Sequence, residues 1–129
     1  MKLSIFIIED NEQNMYLLTY LLEEKYTVYQ AFNGPSGIAI AKEKRPDVIL
    51  LDIQLPEMDG YAIAAALRAS GDLMETPIIA VTSYAMVGDR ERIMAAGATG
   101  YIEKPIDPDM FISQMISFLP EPLKTKASA

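Results

Sequence analysis

The chain has 129 residues, half of them hydrophobic and 22% charged, with a net charge of −7 and neither cysteine nor histidine. That length builds about one domain with a real hydrophobic core. The acidity argues against a general nucleic-acid or anionic-membrane surface. The missing side chains exclude disulfides, thiolate or imidazole metal ligands, cysteine nucleophiles and histidine bases.

Leu3 to Ile8 is a near-continuous apolar run, as a strand covered on both faces requires. It stops at Glu9, too short for a signal-peptide core or a membrane span, so a cytoplasmic location is expected. Asn11 or Asn14 can start the next helix, where Leu17, Leu18, Leu21 and Leu22 recur at helical spacing. Tyr26 to Phe32 is shorter, more polar and rich in aromatic and β-branched residues, which predicts an edge strand. Gly34 and Pro35 open a second helix with Ile38, Ala39 and Ala41 on its apolar face.

Asp47 to Leu51 reads as the third strand, ending at Asp52, and Gly60 to Ala69 as an alanine-rich helix. Thr76-Pro77 announces a fourth strand, Ile78 to Val81, ending at Thr82. The fourth helix runs from about Met86 to Ala96 and stops at Gly97, suited to a left-handed C-terminal position. Thr99 to Glu103 gives strand five. Asp107-Pro108 then starts a fifth helix, apolar at Met110, Phe111, Met115 and Phe118. Residues 120–129 read as a flexible tail after a domain spanning residues 1–119.

Strands alternating with helices over short connections imply an α/β doubly wound parallel sheet with helices on both faces. In such sheets ligands bind beyond the carboxyl ends of the strands. Those positions hold Glu9 and Asp10, Asp52, Thr82 and Lys104. Two unit charges 4 Å apart near a protein surface repel by roughly 4 kcal/mol, so three converging carboxylates need compensation. Lys104 supplies one charge, and a divalent ion held by carboxylate oxygens would supply the rest. An all-oxygen site with few protein ligands suits Mg²⁺, which also takes phosphate oxygens.

The stretches "IIEDN", "DVILLDIQLPEMDG", "PIIAVTSYA" and "AAGATGYIEKP" occur in this order, and together they resemble the signature stretches of the response-regulator receiver family. The resemblance covers about residues 3 to 118. It implies a flavodoxin-like five-stranded sheet in the order 2-1-3-4-5 with five helices. It makes Asp52 the phosphoacceptor, with Glu9 and Asp10 holding Mg²⁺ together with Asp52 and the backbone carbonyl of Gln54. Lys104 matches the residue that contacts the phosphoryl group, Thr82 the hydroxyl that moves to bind it, and Tyr101 the aromatic switch. The Lys104-Pro105 bond is typically cis in the family.

Gln54 and Tyr84 occupy positions that tune dephosphorylation through water access, and the bulk of Tyr84 suggests a slow loss of the phosphoryl group. Ser83 stands where a small apolar residue is more usual. The implied donor is a phosphohistidine on a sensor histidine kinase or a histidine phosphotransfer protein. The implied target is a protein that reads the surface of helix four, strand five and helix five, with no nucleic acid bound directly, no membrane, and a homodimer as an open option. The chain would catalyse only its own phosphorylation and dephosphorylation. Met1, two residues before strand one, favours a stand-alone receiver over a piece of a hybrid kinase.

Two other readings compete. An aspartyl-phosphate phosphatase of the haloacid dehalogenase type needs a second Asp two residues after the first, where this chain has Gln54. A phosphorylation-independent binding module on the same fold would have no use for the full set of Asp52, Lys104, Thr82 and the acidic pair. No glycine-rich nucleotide-binding motif follows any strand.

Overall fold

The computed structural model describes residues 2–55, 58–83 and 86–128. Five strands, β1 (Ser4–Ile8), β2 (Thr27–Ala31), β3 (Val48–Asp52), β4 (Ile78–Thr82) and β5 (Gly100–Glu103), form one sheet in the order β2-β1-β3-β4-β5. Every pairing is parallel. Helices α1 (Glu12–Leu22), α2 (Gly34–Lys44), α3 (Gly60–Ala69), α4 (Val87–Ala95) and α5 (Phe111–Ser117) alternate with the strands, and α6 (Glu121–Ser128) follows.

Alternate side chains of a strand point to opposite faces, and each face has its own core. Ile5, Ile7, Val48, Leu50, Ile79, Val81 and Ile102 meet Met15, Leu18 and Leu22 of α1 and Phe111 and Met115 of α5. Phe6, Ile8, Ile49, Leu51, Ile78 and Ala80 meet Ala41 of α2, Ile63, Ala64 and Leu67 of α3 and Ile93 of α4. Because β1, β3 and β4 are buried on both faces, their sequences carry almost no polar residue until they end. β2 lies at the edge with Thr27 and Gln30 exposed.

Local chemistry sets the helix ends. Asn11, rather than Asn14, caps α1: its side chain accepts from the Asn14 N–H at 2.9 Å. Asp59 caps α3 by accepting from the Ala62 N–H at 2.8 Å. Gly60 then starts α3 against the main chain just past β3, where a β-carbon would collide with Ile53. Gly97 follows α4 with φ of 112°, a conformation that L side chains rarely adopt. On α2, Ile38 and Ala41 face inward as expected, but Ala39 is exposed.

Two expectations are corrected. Asp107-Pro108 does not open α5; the Asp107 carbonyl accepts from the Met110 and Phe111 N–H groups in a preceding turn, and the helix begins at Phe111. Met110 is accordingly half exposed. Glu121–Ser128, within the stretch expected as a flexible tail, form α6, so the described residues hold six α-helices where five were expected. α6 docks because Ala127 is fully buried, Leu123 packs against the α1–α5 core, and the buried Tyr26 hydroxyl donates to the Ala127 carbonyl at 2.8 Å.

Tyr26→Phe removes that donor and leaves the Ala127 carbonyl buried without it. The variant should lose about 0.5–1.5 kcal/mol in thermal or urea unfolding, the usual range for one such bond. An unchanged midpoint would mean that α6 contributes no anchoring through this contact.

Candidate functional site

The carboxyl ends of β1, β3, β4 and β5 lie side by side, and each delivers a polar group to the same rim. Glu9, directly after β1, is 1% exposed because its main-chain N–H continues the ladder to the Ala31 carbonyl of β2, at 3.0 Å. Its Oε2 accepts from the Asn11 N–H at 3.1 Å. Asp52, the last residue of β3, is 3% exposed, and its Oδ1 accepts from the Gln54 N–H at 2.8 Å. Asp10 is exposed at the mouth. One oxygen from each of Glu9, Asp10 and Asp52 lies within 4.8 Å of the others.

Lys104 reaches in from the end of β5. Its main-chain N–H donates to the Thr82 carbonyl at 2.9 Å, which fixes the side chain's starting point. The ammonium lies 3.2 Å from Glu9 Oε1 and 3.3 Å from Asp52 Oδ2, so one cation bridges two buried carboxylates. The Lys104-Pro105 peptide bond is cis. Thr82, at the end of β4, is fully buried beside them.

One positive charge does not balance three carboxylates. Burial pushes the Glu9 carboxyl up from its ordinary 4.5 to about 7, helped by a hydrogen bond to Asp52 and by repulsion from its charge. Glu9 Oε1 is buried and receives no hydrogen bond; its contact with Lys104 is an ion pair only. Three carboxylates with oxygens within 4.8 Å of one another, and one ammonium among them, fit a hard divalent cation that prefers oxygen ligands.

Thus the structure gathers Glu9, Asp10, Asp52, Thr82, Gln54 and Lys104, and leaves Tyr101 apart. Tyr101 is half-buried on β5, with Phe118 at 6.3 Å and the Arg90 guanidinium 5.0 Å from its ring centre. It lines a groove of about 240 Å³ with Arg90, Glu103, Gln114 and Phe118, between α4, β5 and α5. Tyr84 falls outside the described residues. One contact had no signal in the sequence: the Gln54 side-chain Oε1 accepts from the Ser83 N–H at 2.9 Å, joining the loops after β3 and β4.

The family model for the response regulator receiver domain matches residues 5–116. The chain belongs to the response regulator receiver family. As a receiver it is a phosphoacceptor signalling domain of two-component systems. The polar-differentiation response regulator DivK of Brucella anthropi is 44% identical over 117 residues, covering 90% of this receiver and 95% of that protein. The chemotaxis protein CheY4 of Vibrio cholerae superposes with a TM-score of 0.88 at 26% identity, over 92% of this receiver and all of that chain. The receiver domain of the sensor histidine kinase PA1611 from Pseudomonas aeruginosa has a TM-score of 0.83 at 31% identity, over 92% and 98% of the two chains. Its structure holds a magnesium ion in the active-site cleft. No described helix of this receiver is long and apolar enough to cross a membrane.

The folded receiver keeps the Glu9 proton up to about pH 7, whereas the unfolded chain releases it near 4.5. Without a divalent ion, stability should therefore fall as pH rises across that interval. Added Mg²⁺ should raise the melting temperature, more at pH 8 than at pH 6, because the metal competes with that proton. Asp10→Asn should shrink the gain. Melting curves that ignore Mg²⁺ at both pH values would refute the assignment of a cation to this cluster.

Proposed function

We propose that Asp52 is the phosphoacceptor and that it takes a phosphoryl group from a phosphohistidine on another protein, a sensor histidine kinase or a histidine phosphotransfer protein. The observation that carries this reading is the Lys104 ammonium at 3.3 Å from Asp52, beside the acidic pair. The chain contains no histidine, so the donor imidazole has to come from a partner.

An Asp52 oxygen attacks phosphorus. The new O–P bond forms as the P–N bond breaks, and the electron pair returns to the imidazole nitrogen; with a proton on the ring's other nitrogen, a neutral histidine is left on the partner. A carboxylate is already ionised at neutral pH and requires no general base. Phosphoryl transfer asks mainly for alignment and for neutralisation of the equatorial oxygens. Lys104, the Thr82 hydroxyl and main-chain N–H groups past β3 and β4 are the donors for those oxygens. Glu9, Asp10, Asp52 and the Gln54 carbonyl would hold Mg²⁺, which supplies the positive charge that lets a phosphate dianion approach a buried carboxylate.

Water later cleaves the acyl phosphate, so the chain's catalysis is confined to its own phosphorylation state, with Gln54 and Tyr84 setting the access of water. Thr82 turning toward the phosphoryl group vacates space into which Tyr101 rotates. That reshapes the α4–β5–α5 face for a downstream protein or a second copy of the chain, by favouring a conformation already accessible without phosphate. A cytoplasmic setting suits this chemistry. The site and switch lie within residues 1–119, with α6 docked on that unit.

Incubation with acetyl phosphate and Mg²⁺, read by intact mass, should add one phosphoryl group. Asp52→Asn should abolish the adduct, and Lys104→Met should slow its formation. An adduct that persists in Asp52→Asn would overturn the proposal.

A further inference from the structure

Gln54 holds two strand ends at once. Its main-chain N–H donates to Asp52 Oδ1 at 2.8 Å, and its side-chain Oε1 accepts from the Ser83 N–H at 2.9 Å. Asp52 pairs with Val81 across β3 and β4, and the Ile53 N–H still reaches the Val81 carbonyl at 3.4 Å. Past that point the strands' own ladder has ended. The Gln54 carboxamide spans the opening between the two loops, while its main-chain N–H holds the Asp52 carboxylate.

A phosphoryl group on Asp52 brings three oxygens that need donors. In the function proposed above, the donors at the ends of β3 and β4 are main-chain N–H groups of the following loops, of which Gln54 and Ser83 carry one each, beside Lys104 and Thr82. In the unphosphorylated chain the Ser83 N–H already holds a partly negative oxygen, that of the Gln54 side chain. An amide oxygen on this N–H is the neutral counterpart of a phosphoryl oxygen at the same donor.

We infer that the Gln54 carboxamide is an internal stand-in for a phosphoryl oxygen, occupying the Ser83 N–H until phosphorylation of Asp52 displaces it. The inference rests on Asp52 being the phosphoacceptor. Since the bond to Gln54, which also ties the two loops together, must be given up, the phosphoryl oxygen gains less from the N–H of exposed Ser83 than it would from one that holds only exchangeable water. Gln54 therefore slows phosphorylation through competition for a donor, separately from any control of water. Its release also unties the β3 loop from the β4 loop, which links the chemistry at Asp52 to movement of the segment after β4.

The test compares wild type with Gln54→Ala and Gln54→Met. Methionine keeps the length and bulk of glutamine but offers only a weak acceptor. Each protein is treated with acetyl phosphate and Mg²⁺, the O–P bond to Asp52 forming as acetate departs with its electron pair, and the rate is followed by intact mass. Both variants should be phosphorylated about three- to tenfold faster, the worth of one hydrogen bond. Before any donor is added, the Ser83 amide should exchange with solvent faster in both. A Gln54→Met rate equal to wild type beside a fast Gln54→Ala would mean that bulk matters and would overturn the inference. So would unchanged or slower rates in both variants. Asp52→Asn run in parallel separates the two levels: an adduct surviving there defeats the phosphoacceptor reading itself, whereas its loss alongside wild-type rates in the Gln54 variants defeats only the stand-in.

Discussion

The contact on which the site depends is the Lys104 ammonium held between Glu9 and Asp52. Two buried carboxylates this close, with Asp10 at the mouth, make an unfavourable concentration of like charge. One lysine relieves part of it, and the rest appears as a proton retained on Glu9. The folded chain thus stores a demand for positive charge at a defined place. Under the function proposed above, a divalent cation and the phosphoryl group it accompanies would answer that demand together, which would explain why acidic residues serve a domain whose ligand is itself an anion.

The scaffold keeps this arrangement rigid from below. β3 and β4 are buried along their whole length and β1 from Ile5 onward, which ties the ends of these three strands to the core. At the opposite end of the sheet, Arg68 of α3 ties neighbouring loops together: its guanidinium donates to the carbonyls of Gly97, Leu73 and Thr76 at 2.9, 2.8 and 2.6 Å. The α4 side is held more lightly. Ile93 is its one buried residue, and Arg92 and Arg90 lie over the rings of Tyr61 and Tyr101, at 3.9 and 5.0 Å. The α4 side of the groove beside Tyr101 thus has little burial behind it.

Much of this was legible in the chain itself. A parallel sheet with a core on each face follows from apolar runs that end abruptly in Glu9, Asp52 and Thr82, because a strand buried on both faces can place polar groups only where it leaves the sheet; the strand order came from the family resemblance alone. What stayed hidden depended on tertiary placement. α6 is short and mostly polar, and only the positions of Tyr26 and the α1–α5 core make Leu123 and Ala127 inward-facing. Asp107-Pro108 carries a helix-start signal that serves equally for a turn. The Gln54–Ser83 bond joins residues 29 apart, and no local pattern marks an amide that finds a main-chain partner in the loop after the neighbouring strand.

The central claim is that Glu9 carries a proton which a divalent cation displaces. The direct measurement is a ¹³C NMR titration of the Glu9 carboxyl carbon with and without Mg²⁺. The account requires a midpoint at about 7 in the metal-free protein, moving clearly lower when Mg²⁺ is present. A midpoint at an ordinary carboxylate value in both conditions would contradict it.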